Sequence, residues 1–161
     1  VMSVTPSNTT AYPTWTPTLN ITVVVENQGT ETETFYVTAY RNTTAIQTKT
    51  VTSLGPGLST PLTFTWSLSG VPVGNYTIKA EADQVPGETN IEDNTKTDDV
   101  VNIKFPGDAS GDNFVDISDF AILGFYWFNL KGYDQRTDFN ADGFIDISDF
   151  GILGYYWFKG P

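Results

Sequence analysis

An internal repeat near the end of the chain constrains its fold more than any other feature. The segment GDASGDNFVDISDFAILGFYWF, which begins at Gly107, recurs thirty residues later as TDFNADGFIDISDFGILGYYWF, which begins at Thr137. The phrase Asp-Ile-Ser-Asp-Phe-x-Ile-Leu-Gly is the same in both copies. The repeat therefore predicts a small module made of two equivalent units.

Each copy begins with twelve residues whose oxygen-bearing side chains follow the spacing of a calcium loop. Loop one covers residues 108–119 and loop two covers residues 138–149. Side-chain oxygens at loop positions 1, 3, 5, 9 and 12, with the backbone carbonyl at position 7, can surround a hard cation. We therefore expect two calcium ions, one held by Asp108, Ser110, Asp112, Phe114, Asp116 and Asp119, and one by Asp138, Asn140, Asp142, Phe144, Asp146 and Asp149.

The charge of the two loops supports a bound cation. Residues 106–161 contain nine acidic and three basic side chains, and each loop holds four of the acidic ones. Four carboxylates in so short a segment repel one another unless a divalent ion joins them. Magnesium is the weaker alternative, because so many protein oxygens in each loop suit the larger shell of calcium. Two solvated acidic loops would require the ligand spacing to arise twice by accident.

The loops lack the entering helix of a complete EF-hand. Asn102-Ile103-Lys104-Phe105-Pro106-Gly107 ends a strand and forms a turn, and the segment 129–137 before loop two is too short for a helix. Apolar periodicity predicts a helix after each loop, over Asp119–Phe128 and Asp149–Phe158. Two loop–helix repeats with this ligand pattern resemble the type I dockerin family. The resemblance implies that Val115 and Ile145 pair the two loops across a pseudo-twofold axis.

Residues 1–104 follow a different pattern. Short runs rich in Thr, Val, Ile, Tyr and Phe alternate with turn residues, which predicts an antiparallel β-sandwich. Alternation places Phe64, Trp66, Tyr76, Ile78 and Ala80 on its core face. We expect strands at Leu19–Glu26, Thr34–Arg41, Ala45–Val51, Pro61–Leu68, Asn75–Ala82 and Thr97–Ile103, with an edge strand near Met2–Thr5.

Three phrases of this half carry a second resemblance. VVVENQGTETETFYVTAYRN, LGPGLSTPLTFTW and GNYTIKAEADQVPGETNIEDN resemble CARDB domains, which are immunoglobulin-like sandwiches of secreted microbial proteins. The expected fold is thus a mostly β immunoglobulin-like sandwich over residues 1–104, followed by a small α-helical, dockerin-like calcium module over residues 105–161. The CARDB resemblance implies a spacer or adhesion module without enzymatic activity.

The helices carry more apolar side chains than the module core needs. Phe120, Leu123 and Trp127 form one stripe, and Phe150, Leu153 and Trp157 form its counterpart, which we expect to be core. The remaining apolar surface must be covered. The dockerin resemblance implies a cohesin domain as the partner; the alternative is intramolecular packing on the β-sandwich, with calcium stapling the C-terminus. The residues implied in cohesin binding are Ile117, Ser118 and Phe125, mirrored by Ile147, Ser148 and Tyr155.

Composition excludes several functions. A net charge of −11 disfavours nucleic acid as a partner, and the absence of Cys and His excludes the usual zinc sites and His-based catalysis. No apolar run is long enough for a membrane span. Four Asn-x-Thr sequons, at Asn8, Asn20, Asn42 and Asn75, are a hint of a secreted or cell-surface chain.

Two weaker possibilities concern the N-terminal half. The acidic cluster Asp83, Glu88, Glu92 and Asp93 could bind a cation, although a solvated loop is the simpler interpretation. An enzyme would need an acid pair such as Glu92 and Asp93 in a cleft. The first residues lack the basic and apolar regions of a signal peptide, so we expect the chain to follow a removed signal or to come from a longer polypeptide.

Overall fold

The computed structural model describes residues 1–13, 16–128, 134, 136–140 and 142–160, and leaves out the side chains of Asp99 and Phe128. These residues separate into two compact units. The first unit comprises Val1–Ala11, Thr18–Ser69 and Asn75–Asn102. The second comprises Tyr12–Pro17, Gly70–Gly74 and Ile103–Pro161. Each unit is described separately below.

Within the described part of the chain, eight strands form two sheets. The three-stranded sheet has the order β1-β3-β6, and the five-stranded sheet has the order β2-β8-β7-β4-β5. The pairs β1–β3, β3–β6, β4–β5 and β4–β7 are antiparallel. The strands are β1 Ser3–Pro6, β2 Thr10–Ala11, β3 Thr18–Glu26, β4 Glu33–Arg41, β5 Thr44–Leu54, β6 Ser59–Ser67, β7 Gly74–Ala82 and β8 Thr95–Ile103.

The predicted strands and core of the sandwich are confirmed. Strand β3 alternates between exposed and buried positions, so that Leu19, Ile21, Val23 and Val25 all face inward. Such period-two alternation buries one face of a sheet and leaves the other in water. Of the five residues predicted to face the core, Phe64, Trp66, Ile78 and Ala80 are buried, and Tyr76 is half-buried.

Two short elements of the first unit were not predicted. Strand β2 is only two residues long, and a 3-10 helix spans Glu92–Asn94 between β7 and β8. Neither segment is long enough to show a hydrophobic period, which is the signal that sequence patterns provide. Among the described residues, no helix combines the length and apolar character that a bilayer crossing needs.

The second unit contains helix α1 over Ile117–Phe128 and helix α2 over Ile147–Tyr156. Its core consists of Ala109, Val115, Leu123, Phe139 and Leu153. The predicted stripe is therefore only partly correct: Leu123 and Leu153 are buried, and Trp127 and Trp157 pack against them, but Phe120 and Phe150 are each 41% exposed. The rings of Phe120 and Phe150 meet edge to face, with centroids 6.0 Å apart.

Candidate metal centre

Both helices begin two residues earlier than predicted, and the reason lies in the loops themselves. Asp146 is the N-cap of α2, where its side chain accepts a hydrogen bond from Ser148 N at 2.8 Å. Asp149 completes a capping box by accepting from Asp146 N at 2.9 Å. A capping box satisfies backbone N–H groups that the first helical turn leaves without partners. Positions 9 and 12 of loop two therefore start the helix.

Loop one repeats this arrangement. Asp116 accepts from Ser118 N at 2.7 Å, and Asp119 accepts from Asp116 N at 2.8 Å. The acidic side chains in the first turn also suit the positive end of the helix dipole. Helix α2 ends at Tyr156 rather than at the predicted Phe158, because Trp157 has a non-helical ψ of 129° and Phe158 a left-handed φ of 56°.

The first carboxylate of each loop is held by backbone N–H groups of the same loop. Asp108 accepts from Gly111 N at 2.7 Å and from Asn113 N at 2.9 Å. Asp138 accepts from Asp142 N at 3.1 Å and from Gly143 N at 2.9 Å. In both loops the aspartate at position 1 thus fixes the turn that follows it.

Position 6 of each loop requires a left-handed backbone. Asn113 has a φ of 68° and Gly143 a φ of 90°. Glycine adopts such angles without a steric penalty, and asparagine tolerates them better than most residues. The expected sharp turn is therefore present in both loops, with the non-glycine residue in loop one.

The closing carboxylates are fully buried. Asp119 and Asp149 are each 0% exposed. Asp119 accepts from Ser110 N in addition to Asp116 N, and Asp149 accepts from Phe139 N in addition to Asp146 N. Burial raises the pKa of Asp149 above its ordinary value, and the backbone hydrogen bonds oppose this effect. These carboxylates anchor each loop to the start of its helix.

The loops supply the oxygen donors that calcium prefers, but their acidic side chains do not converge. Within the described part of the chain, no group of three or more acidic side chains is arranged so that it could hold a metal ion. The carboxylates instead accept hydrogen bonds from the loops' own N–H groups. Because each carboxylate has about four lone-pair sites, these bonds leave acceptor capacity for a cation. The donor set fits calcium, and the calcium ligation stays a prediction.

The residues expected to pair the two loops, Val115 and Ile145, share one core, and the backbone of Val115 bonds to the segment that follows α2. Val115 N donates to Lys159 O at 3.0 Å, and Val115 O accepts from Phe158 N at 2.8 Å. Both polar backbone groups of Val115 are thus used by the segment that follows α2. Ile145 packs against the same core that contains Val115. The pairing of the two loops across a pseudo-twofold axis stays a prediction.

The residues assigned to partner binding lie on exposed surface in both repeats. Ile117 and Ile147 are 64% and 68% exposed, and Ser118, Phe125, Ser148 and Tyr155 are exposed as well. Phe125 packs edge to face against Tyr126, and Tyr155 packs in the same way against Tyr156. The ammonium of Lys159 lies 4.0 Å from the centre of the Tyr155 ring. The two repeats therefore display matching apolar positions.

An apolar groove lies along α1 beside these residues. Its volume is about 240 Å³, and its lining residues are Phe120, Leu123, Gly124, Trp127, Ile147 and Phe150. It contains one of the residues predicted to bind a partner, Ile147. None of these lining residues is charged. A groove of this kind suits an apolar side chain of a partner.

Sequence reasoning missed what four residues contribute to this unit. Phe139, at position 2 of loop two, is completely buried. Phe158 and Lys159 form backbone hydrogen bonds with Val115 in loop one. Tyr12 belongs to the same unit, and burial, followed by the negative charges of Asp108 and Asp138, raises the pKa of its phenol to about 12. An isolated aromatic residue far from the repeat carries no sequence signal for such a position.

The acidic cluster of the first unit accepts hydrogen bonds within a loop. Glu88 accepts from Val85 N at 3.0 Å and from Asn94 Nδ2 at 2.9 Å, and Asp93 accepts from Asn90 Nδ2 at 2.8 Å. Asp83, Glu88 and Asp93 line a cavity of about 680 Å³, whereas Glu92 does not. Of the acid pair Glu92 and Asp93, only Asp93 faces the cavity.

Comparison with known proteins identifies the first unit. The CARDB family model matches residues 2–102. No curated protein sequence matches the chain. The match ends before both loop–helix repeats, which therefore lie outside it.

The chain is also similar to three solved structures. One is the crystal structure of the CARDB domain of a Pyrococcus furiosus protein, described as a complex with di-metal ions. It is 27% identical in sequence and has a TM-score of 0.53. The match covers 63% of this chain and 89% of that chain. The solution structure of the same domain is 26% identical with a TM-score of 0.50 over 62% of this chain and 89% of that chain. The domain 272–376 of a Methanosarcina acetivorans protein named for the cell surface is 30% identical over 62% of this chain and 86% of that chain, with a TM-score of 0.47.

Proposed function

The chain belongs to the CARDB family through residues 2–102, and on this premise we propose that it is a non-catalytic part of a secreted or cell-surface protein. Its two loop–helix repeats bind one calcium ion each. The calcium-loaded repeats attach the protein to a cohesin-bearing scaffold or cell surface. The CARDB sandwich serves as the spacer that precedes this attachment module.

One observation carries the proposal: the two loops use equivalent residues for equivalent bonds. Positions 1, 5, 9 and 12 of each loop are aspartates that accept hydrogen bonds from nearby backbone N–H groups. Positions 10 and 11 are Ile and Ser in both loops, and all four of these residues are exposed. Such a duplication offers a partner two similar faces, as docking in two orientations would need.

The charge of the loops explains why calcium would be needed. Asp108 and Asp119 are buried in loop one, and Asp138 and Asp149 are buried in loop two. Buried carboxylates are costly unless they are paired with a cation or remain protonated. A bound divalent ion stabilises the folded state by mass action, since the unfolded chain has no assembled site.

The attachment is tested with immobilised cohesin domains. The full chain is passed over a panel of cohesins in calcium and again in excess chelator. We expect retention in calcium and release in chelator. The matched control is the double variant Asp108→Ala/Asp138→Ala, which should not be retained in either condition. If the cohesins retain the natural chain in chelator and also retain the double variant, the proposal is contradicted.

A second function is supported by the number of apolar residues on the helices. In this alternative the helices pack within the same molecule on the β-sandwich, and calcium only staples the C-terminus. No cohesin would then bind, and the exposed apolar positions would be protected from solvent in the full chain. Hydrogen exchange of α1 and α2 in the full chain and in a separately produced 105–161 fragment distinguishes the two functions. Equal exchange in both samples speaks against the alternative.

The metal ions described for the Pyrococcus furiosus relative require a further control. A cation bound by the sandwich would add heat to any calcium titration of the full chain. The double variant Asp108→Ala/Asp138→Ala leaves the sandwich sequence intact. Any calcium binding that survives in this variant belongs outside the two loops.

A further inference from the structure

The β-sandwich exposes the asparagine of every Asn-x-Thr tripeptide in the sequence. Asn8, Asn20, Asn42 and Asn75 are all exposed, whereas Asn27, which is not part of such a tripeptide, is buried. This tripeptide is the acceptor sequence for N-linked glycosylation. Exposure does not distinguish the four asparagines, but the backbone around them does.

Two of the tripeptides are held inside sheets. Asn20 pairs with Thr65, and the next residue, Ile21, pairs with Pro6 on one side and Phe64 on the other. The tripeptide that begins at Asn75 lies within β7, which has β8 and β4 as its neighbours. A transferase must bend its acceptor into an active site. These tripeptides would have to leave their ladders first, and such local opening is unfavourable in a central strand.

The tripeptide that begins at Asn42 lies at a hairpin turn. The last paired residues of β4 and β5 are Arg41 and Thr44, so Asn42 and Thr43 project beyond the ladder. Asn42 has a left-handed φ of 51°. Both residues are exposed, and the third residue of the tripeptide, Thr44, begins β5.

The side chain of Asn42 is also oriented for modification. Its Oδ1 accepts a hydrogen bond from Thr77 N at 2.9 Å, and its backbone N donates to Thr77 O at 2.8 Å. Because the oxygen is held by the neighbouring strand, the amide nitrogen points away from that bond. A sugar on this nitrogen would leave the bond to Thr77 in place.

Asn8 also lies outside any strand. Its tripeptide continues into β2 at Thr10, and Thr9 O accepts a hydrogen bond from Asn102 N at 2.8 Å. We expect Asn8 to be more accessible than the two strand asparagines.

We propose that Asn42 is an N-glycosylation site of the folded protein, with an activated sugar diphosphate as the donor class. The Asn42 Nδ2 forms a bond to the anomeric carbon, the bond from that carbon to the phosphate oxygen breaks, and the diphosphate leaves with the electron pair. Nδ2 loses one proton to a base of the transferase. The reaction involves no oxidation or reduction.

The test compares the folded chain with its own peptides. The purified protein and a protease digest of it are each incubated with a soluble N-glucosyltransferase and UDP-glucose, and each asparagine is followed by mass spectrometry. In the folded chain we expect Asn42 to react at a rate close to that of its peptide, and Asn20 and Asn75 to react at least about tenfold more slowly than theirs.

The matched control is Thr44→Ala. It removes the acceptor sequence but keeps Asn42 and its bonds to Thr77, so modification at Asn42 should disappear while the melting temperature is unchanged. Lack of reaction at Asn42 in the folded chain overturns the proposal, whether or not the peptide reacts. Equal rates at Asn42, Asn20 and Asn75 overturn it too, because the turn would then confer no advantage.

Discussion

The backbone carbonyl of Val115 accepts a hydrogen bond from the N–H of Phe158 at 2.8 Å. A second bond, from Val115 N to Lys159 O, closes the connection. Position 8 of loop one is thereby attached to the segment that follows α2. Position 8 of loop two is Ile145, whose sequence environment is almost the same. The connection therefore joins the first repeat to the residues that follow the second helix.

This connection predicts that the last residues stabilise the second unit. A chain that ends at Trp157 loses both bonds to Val115, and we expect a loss of about 1–3 kcal/mol from two backbone hydrogen bonds. Urea unfolding with and without calcium measures it. A chain that ends at Lys159 keeps both bonds and is the matched control. Equal stability of the two shortened chains would show that the bonds contribute nothing.

The buried closing aspartates predict a structural role that does not depend on metal. Asp149→Ala leaves the N–H groups of Phe139 and Asp146 without their acceptor, so we expect a loss of about 1–3 kcal/mol even in chelator. Asp142→Ala is the control, because Asp142 is exposed and its carboxylate accepts hydrogen bonds from Phe144 N and Asn140 Nδ2. The loss of stability that Asp142→Ala causes in chelator should be smaller than the loss that Asp149→Ala causes. If both variants lose stability only when calcium is present, the capping role is wrong.

The matching exposed positions predict redundancy in partner binding. Ile117→Arg and Ile147→Arg each place a charge on one face, and both residues are more than 60% exposed. Neither change should unfold the protein, because surface substitutions are usually within about 0.5 kcal/mol of neutral. Each single variant should still bind a cohesin that recognises either face, whereas the double variant should not. Surface plasmon resonance measures this, and full binding by the double variant would exclude these residues from the interface.

The ion pair between Asp134 and Arg136 predicts a pH effect. The hydrogen bond from Arg136 lowers the pKa of Asp134 to about 2. A carboxyl with a lowered pKa in the folded state contributes stability at neutral pH, and this contribution is lost as the pH falls through the folded pKa. The stability difference between the natural chain and Arg136→Ala should therefore shrink between about pH 4 and pH 2. NMR titration of the Asp134 carboxyl checks the cause, and an unchanged pKa in the variant would contradict it.

The parts of the fold that repeat a period were predictable from the sequence. Alternation along β3 and β6 identified the inward faces of the sandwich, including Phe64 and Ile78. The duplicated phrase located both loops and both helices to within two residues. The helix starts differed because the aspartate at position 9, not the one at position 12, is the N-cap. A cap is a local hydrogen-bonding choice that apolar periodicity does not encode.

The interactions that could not be predicted join residues distant in sequence and without a repeated pattern. The bonds from Val115 to the end of the chain and the position of Tyr12 are of this kind. Phe120 and Phe150 were assigned to the core from helical spacing alone, yet both are 41% exposed. Spacing identifies a shared face of a helix but not how deeply each side chain on that face is buried.

Calorimetric titration of the metal-stripped chain with calcium tests the central claim most directly. The account predicts saturation at two ions per chain, saturation at one ion in either Asp108→Ala or Asp138→Ala, and a rise in the melting temperature of the second unit on loading. A titration without heat, together with a melting curve that calcium leaves unchanged, would contradict it.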